Sequence, residues 1–458
     1  MTDLSTPSSK KRRSRHVRRR RTWRDGVVLR RVVITACGLL VVTALGWLVW
    51  WMQPKPATLG DYVHYGWVRR SFESDLLQPW YEGAVKTNGF MQPRLDRRWQ
   101  VREPYTTTLM SHSRLLYLMA VGYEVTNEAK YQDAVLRGGD FLLDHFRDPR
   151  ALRWYREVDR DGKTVDAAAT DEDISSVIFA LAHAFRVTQQ DRFRAAALAT
   201  WSQGNWEVLV SARALVRGKQ STAVTASASG TRTYTTMLYL FESLLALQDA
   251  TGNPAVGDDI AALAAFLEQR LYQPKTGRLP WRFTADWRPL PASEGGLISL
   301  GHQVEWAYAL SLAVARGLPE HYLELAQALL DDAIAIGYDR DQGGLFESVD
   351  YEGKLLGTHK GAWQQVQLLC ALMHFATLQG RTDLWPLFNK SLSLALTRFL
   401  DRKHGGWFHR ADALGSPDPR ATDKGDIGLS DRRVTDFYIE ALALHALTGS
   451  VGHAEERF

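Results

Sequence analysis

The chain has 458 residues, 45% of them hydrophobic, with 16 Trp and a formal net charge of +5, enough apolar material for a large core. The charge is uneven: Met1 to Arg31 carries twelve Lys or Arg against Asp3 and Asp25, so the rest of the chain sums to −5. That excludes a nucleic-acid binder by charge for the body, and two cysteines, Cys37 and Cys370, exclude a disulfide framework or a zinc cluster.

In chain order, residues 1–31 read as a basic cytoplasmic arm. Val32 to Met52 follows as 21 residues without a charge, ending in Trp47, Trp50 and Trp51. About 20 apolar residues span a bilayer core, indoles settle at its interface, and basic residues stay inside. The segment is expected to be an uncleaved transmembrane helix of a bacterial inner membrane. The N-terminus would then be cytoplasmic and everything after Met52 periplasmic. Residues 53–60, with two prolines, read as a linker, and 61–450 as one domain.

Within that domain a turn word recurs. Gly343-Gly344-Leu345-Phe346, Gly405-Gly406-Trp407-Phe408-His409 and Trp154-Tyr155 up to Gly162 are its clearest copies, with weaker ones at Gly89-Phe90 and Gly277 to Trp281. A turn glycine, one or two rings and an Asp-rich turn suit a small β-hairpin between helices. The aromatic markers at 90, 155, 281, 346 and 408 imply a degraded copy near 218, and six units of about 64 residues fill the domain. Paired apolar-periodic segments lie between markers, such as 131–146 with 174–185 and 322–336 with 363–378. The fold class is therefore all-α, an (α/α)6 toroid with short β-hairpins between its helices.

In such a ring the inner helices line a central pocket. The apolar runs 236–247, 297–312, 363–373 and 434–447 are expected to be inner helices, and their polar or aromatic intruders are the site candidates. His302, Glu305 and Trp306 (i, i+3, i+4) fall on one helical face. A carboxylate beside a histidine is expected to raise its pKa, and an indole offers a platform to a sugar ring. Tyr239, Glu242, Trp363, Gln365 and Asp173 are the other substrate-binding candidates. His112 and His409, inside turn words, read as structural.

The domain resembles the N-acylglucosamine 2-epimerase superfamily from Asp61 to about Leu447. The resemblance rests on Ser113-Arg114-Leu115, Asp159-Arg160-Asp161-Gly162, Leu240-Phe241-Glu242, Asp286-Trp287-Arg288-Pro289-Leu290, Gly301-His302-Gln303-Val304-Glu305-Trp306, Lys360 with Trp363 and Gln365, and Gly406-Trp407-Phe408-His409. It implies interconversion of sugars through an open-chain carbonyl, without a cofactor or metal, by removing and returning a proton next to that carbonyl. His302 would be one proton-transfer histidine and Glu305 its partner. The chain departs from the family elsewhere: Thr107 replaces a sugar-binding arginine, Thr235 to Tyr239 lack two histidines, and the second proton-transfer histidine falls at Tyr438.

Three functions follow as expectations. One is a membrane-anchored periplasmic sugar epimerase or isomerase acting on a saccharide or exopolysaccharide. The second is a non-catalytic carbohydrate-binding or scaffolding subunit of an exopolysaccharide assembly complex. The third is a polysaccharide lyase or glycoside hydrolase, which for hydrolysis would need opposed carboxylates from Glu242, Glu305 and Asp173.

Overall fold

Two helices per 64-residue unit bury their apolar faces only if the units close on one another. In this computed structural model, which describes residues 43, 57–148, 153–218, 231–411, 422–426 and 431–449, they do. Six inner helices are α1 (Leu109–Thr126), α2 (Asp171–Thr188), α3 (Thr235–Thr251), α4 (Leu300–Val314), α5 (Ala362–Leu378) and α6 (Arg432–Leu447). Each contacts the next in order, and α6 returns to α1. Outer helices at Ala129–His145, Asp191–Gln203, Pro254–Phe266, His321–Gly337 and Trp385–Arg398 alternate with them. The sixth outer position is filled by Tyr65–Ser71 and Gln78–Ala84, joined through the π-helical turn Phe72–Leu77, and Tyr65–Ser71 packs on α6. The expected toroid is the observed one. Its inner helices are apolar on nearly every side because each is covered by two inner neighbours and the outer layer; α5 buries fourteen of its 17 residues.

The turn words differ from self-contained hairpins. Short bridges close each turn on itself: Val85 to Met91, Arg147 to Trp154, Gln273 to Arg278, Tyr338 to Leu345 and Leu400 to Trp407. The strand entering an inner helix pairs instead with the next unit's turn, as Thr231–Thr233 does with Arg282–Thr284, Ile298–Ser299 with Ser348–Val349, and Lys360–Gly361 with Arg410–Ala411. Two short strands alone are marginal in water, so stitching one unit to the next is the stable arrangement. A helix, Glu207–Val216, packed on Pro254–Phe266, precedes the copy expected near residue 218, most of which lies outside the described residues.

The glycine pair of the turn word has a steric reason. Gly343 and Gly344 sit at φ +82° and +80°, and a Cβ on Gly344 would lie 2.3 Å from the Gln365 Oε1. That oxygen accepts from the Leu345 N–H at 2.7 Å, while Gln365 Nε2 donates to the Leu345 carbonyl at 2.8 Å and the Gly361 carbonyl at 3.2 Å. Gln365 is thus a clamp between helix and turn, which corrects its expected role at the substrate.

Contacts divide the chain at Ala57 and Thr58, and the ring belongs wholly to the second unit. The expected transmembrane span 32–52, apart from residue 43, and the basic arm lie outside the described residues. Among the described residues no helix is long and apolar enough to cross a membrane.

Candidate active site

The first turns of α4, α5 and α6 converge with the N-terminal halves of α1 and α3 on a cavity of about 250 Å³. From α4 come His302 and Glu305, from α5 Trp363, from α3 Tyr239 and from α1 Arg114. Arg432 and Arg433 open α6, with Asp431 just before it, and His409 of a turn word completes the wall. Of the candidates named from the sequence, His302, Glu305, Tyr239 and Trp363 border this cavity.

His302 is held among rings. Its imidazole stacks on Trp281 at 6.2 Å between centroids, with Trp363 at 4.7 Å and Tyr234 edge-on at 6.0 Å. Nδ1 is 2.8 Å from the Ser299 hydroxyl. Burial first, and the positive charge of Arg433 second, lower its pKa to about 3 against a smaller opposing effect of Glu242. This corrects the expected upward shift: burial and the guanidinium of Arg433, which is ion-paired to Glu305, outweigh the pull of the nearby carboxylate of Glu242. At neutral pH His302 is a neutral imidazole, the form that accepts a proton.

The wall of the cavity continues into a compact cluster of charges. Arg433 contacts Glu305, bonds Glu242 Oε1 at 2.7 Å and lies 3.3 Å from Asp436. Arg432 bonds Glu242 Oε2 at 3.0 Å. Burial opposes ionisation of Glu242, but the two guanidiniums outweigh it and hold the carboxyl below its ordinary range. For Asp436 burial prevails and its pKa rises despite Arg432 and Arg433. The Tyr239 ring lies between guanidiniums, 6.0 Å from Arg114 and 5.7 Å from Arg433. Arg114 is itself depressed by burial and by the like charges of Arg432 and Arg433.

Glu242 therefore sits one turn deeper than expected, and with Arg432 it lines a second cavity of about 290 Å³ toward the C-terminal halves of the inner helices. Arg432 borders both spaces. The ion-paired cluster lies where the two meet, Glu242 and Arg432 lining one and Arg432 and Arg433 the other.

Three more candidates lie elsewhere. Trp306 is fully buried against Phe241, at 5.2 Å between rings; one residue beyond Glu305 it has turned about 100° from the cavity and packs toward α3. Asp173 forms a capping box, its Oδ2 accepting from Thr170 N–H and hydroxyl, both at 2.9 Å, so it starts α2. Tyr438 is fully buried on the far side of α6, 2.8 Å from the Ser71 hydroxyl and near Phe72. It borders neither cavity. Tyr438→Phe is therefore expected to lower stability by about 1 kcal/mol, the worth of one buried hydrogen bond, and to leave turnover unchanged. Chemical denaturation and steady-state kinetics of that variant check both parts.

The sequence profile of the N-acylglucosamine 2-epimerase family matches residues 89–427. The chain belongs to the N-acylglucosamine 2-epimerase family. Among relatives of this epimerase-family chain, the D-mannose isomerase of Thermobifida fusca is 27% identical over 323 residues, covering 63% of this chain and 75% of the relative. A D-mannose isomerase crystal structure superposes with a TM-score of 0.72 at 19% identity, over 82% of this chain and 97% of that one. The cellobiose 2-epimerase of Spirochaeta thermophila superposes with a TM-score of 0.72 at 16% identity, over 84% and 97%. The chain is thus sugar epimerase- or isomerase-like, on the ring that its repeat period predicts.

Several residues of this family member's pocket escape a reading by periodicity. Arg432, Arg433 and Asp431 precede the apolar run 434–447 and so read as flanking sequence. Their signal was two adjacent arginines at an inner-helix start, where a surface role would leave both exposed; here Arg432 is 9% exposed. Arg114 stood in a family word without a role, and His409, expected to be structural, borders the cavity.

Proposed function

We propose that the chain interconverts an open-chain aldose and its ketose, with His302 as the base that moves a proton between neighbouring carbons. The observation that carries this is a histidine kept neutral by burial and Arg433, opening on a cavity that also holds guanidiniums. A neutral imidazole accepts the proton next to the carbonyl, and the charge then gathers on the carbonyl oxygen. Arg114 and Arg433 border the same space and supply fixed positive charge for that oxygen. Trp363 gives the sugar a flat apolar wall beside the imidazole. The relatives named D-mannose isomerase favour free hexoses such as mannose and fructose as first substrates. The test is proton NMR of mannose and fructose in D2O with the protein: deuterium appearing on the carbons next to the carbonyl, together with the second sugar, supports the reading. Neither signal with these or other aldoses overturns it.

A second reading keeps the carbohydrate and drops the reaction. It is favoured by Thr107, buried in the strand Thr106–Thr108 where the resemblance implies an arginine, and by Tyr438 facing away from the cavity. Saccharide binding by calorimetry without any deuterium exchange would select it.

The setting is part of the proposal: an inner-membrane anchor at 32–52 holding the ring in the periplasm, near saccharides or exopolysaccharide. The uncharged 21-residue run behind twelve basic residues supports it. The full chain is expected to stay with membranes through alkaline carbonate extraction and to be cut by protease added to spheroplasts. Removal of residues 1–52 is expected to release the domain. Release of the full chain by carbonate would refute the anchor.

A further inference from the structure

An aldose–ketose exchange moves more than the carbon-bound proton. One oxygen must gain a proton and its neighbour must lose one, and a single imidazole occupied at carbon leaves both transfers without a partner. Tyr438 is on the wrong face of α6, so another group of the pocket must serve those oxygens.

Asp431 has the needed placement. It borders the cavity with His302, immediately ahead of Arg432 and Arg433, and is only 3% exposed. Its Oδ2 is fixed by the Trp80 indole N–H at 2.9 Å, whereas its buried Oδ1 has no hydrogen-bond partner among the described residues. Although it stands at the N-terminus of α6, its side chain does not cap that helix. A buried acid with one oxygen anchored and one unsatisfied is costly unless it serves something. Burial, opposed by His409, the Trp80 indole and Lys424, raises its pKa above the ordinary carboxylate value. Trp80 comes from the outer segment Gln78–Ala84. The charged groups facing Asp431 are His409, whose Nε2–H donates to the Lys424 carbonyl at 3.1 Å, and Lys424, itself paired with Asp401 at 2.9 Å. The guanidiniums of Arg432 and Arg433 follow on its own helix.

We propose that Asp431 is the second catalytic residue, the acid and then the base for the two sugar oxygens, working with His302 at carbon. This rests on the isomerase reading above. In the first half, His302 takes the proton from C2, the C–H electron pair becomes the C1–C2 double bond, and the carbonyl pair moves to O1. O1 takes the proton of Asp431, leaving a neutral enediol, an imidazolium and a carboxylate. In the second half, Asp431 removes the O2 proton, the C2 carbonyl forms, and the double-bond pair takes the proton from His302 at C1. Both side chains end as they began, and no outside reactant is needed.

The experiment compares the unaltered protein with Asp431→Asn, Asp431→Glu and Trp80→Phe, using mannose and fructose in D2O. Asp431→Asn, which can neither give nor take the proton, is expected to lower kcat by about 10²- to 10⁴-fold with KM little changed; Asp431→Glu restores part of it. Trp80→Phe removes a donor that favours the ionised carboxylate, so the alkaline limb of the kcat profile moves to higher pH. Asp431→Asn with unchanged kcat overturns the proposal while the isomerase reading stands. If that variant does not fold, an alkaline limb unmoved in Trp80→Phe overturns it equally. An unaltered protein that gives neither exchange nor product removes the reading and the proposal together.

Discussion

His302→Ala is expected to abolish measurable exchange of solvent deuterium into a hexose, lowering kcat by about 10²- to 10⁴-fold, the range in which a positioned general base contributes. The pocket itself should survive, because the ring makes one side-chain hydrogen bond, to Ser299, and otherwise stacks on Trp281 and Trp363. Sugar affinity is therefore expected to change by much less than turnover, and calorimetric titration of the variant separates the two. The pH dependence adds a check with a definite sign. A base with its pKa lowered to about 3 stays unprotonated through neutral and mildly acidic solution, so no loss of kcat centred near pH 6.5 is expected. An acid limb at the ordinary histidine value would mean that the imidazole is less shielded, or less close to Arg433, than its surroundings here dictate.

Arg433→Ala is expected to destabilise the ring by about 3–5 kcal/mol, the cost of leaving buried carboxylates without their cation. Glu305 is 1% exposed and Arg433 is its ion-pair partner, while Glu242 would keep Arg432 alone. Adding Glu305→Gln to Arg433→Ala should recover much of that loss, since the second change removes the orphaned charge. Denaturant titration of the two single variants and the double one forms a cycle whose interaction energy measures the coupling. Additive losses would show that Glu305 does not depend on Arg433. The same variant reports on chemistry too: with its guanidinium gone from beside the imidazole, the depressed pKa of His302 rises, and any residual activity acquires an acid limb at higher pH.

The ring was legible because its period was. Five aromatic markers and the apolar runs between them give six units, and the inner helices begin at 109, 171, 235, 300, 362 and 432 as that period requires. The site was legible where a polar residue interrupts an apolar run, as His302 and Glu305 do in α4 and Tyr239 in α3. It was illegible where helix register decides. Arg433 and Tyr438 are five residues apart, about 140° around α6, so a residue pointing at the ring centre from one position faces Ser71 and Phe72 in the outer layer from the other. Asp436 and Glu440 continue the inner face at the right spacing, and a reading that began from Arg433 would have followed them. Arg432 and Arg433 fell outside the apolar run altogether. What explains them is a meeting of five helix starts, distant in sequence, and no window along the chain contains it. Gln365 failed differently: it is inner-helix in sequence and polar, yet its amide is consumed by the Leu345 and Gly361 backbone.

The paired charges of Glu242, Arg432 and Arg433 also give the two cavities a wall in common, through Arg432. Any shift of that guanidinium therefore reshapes both spaces at once, so what fills one is felt in the other.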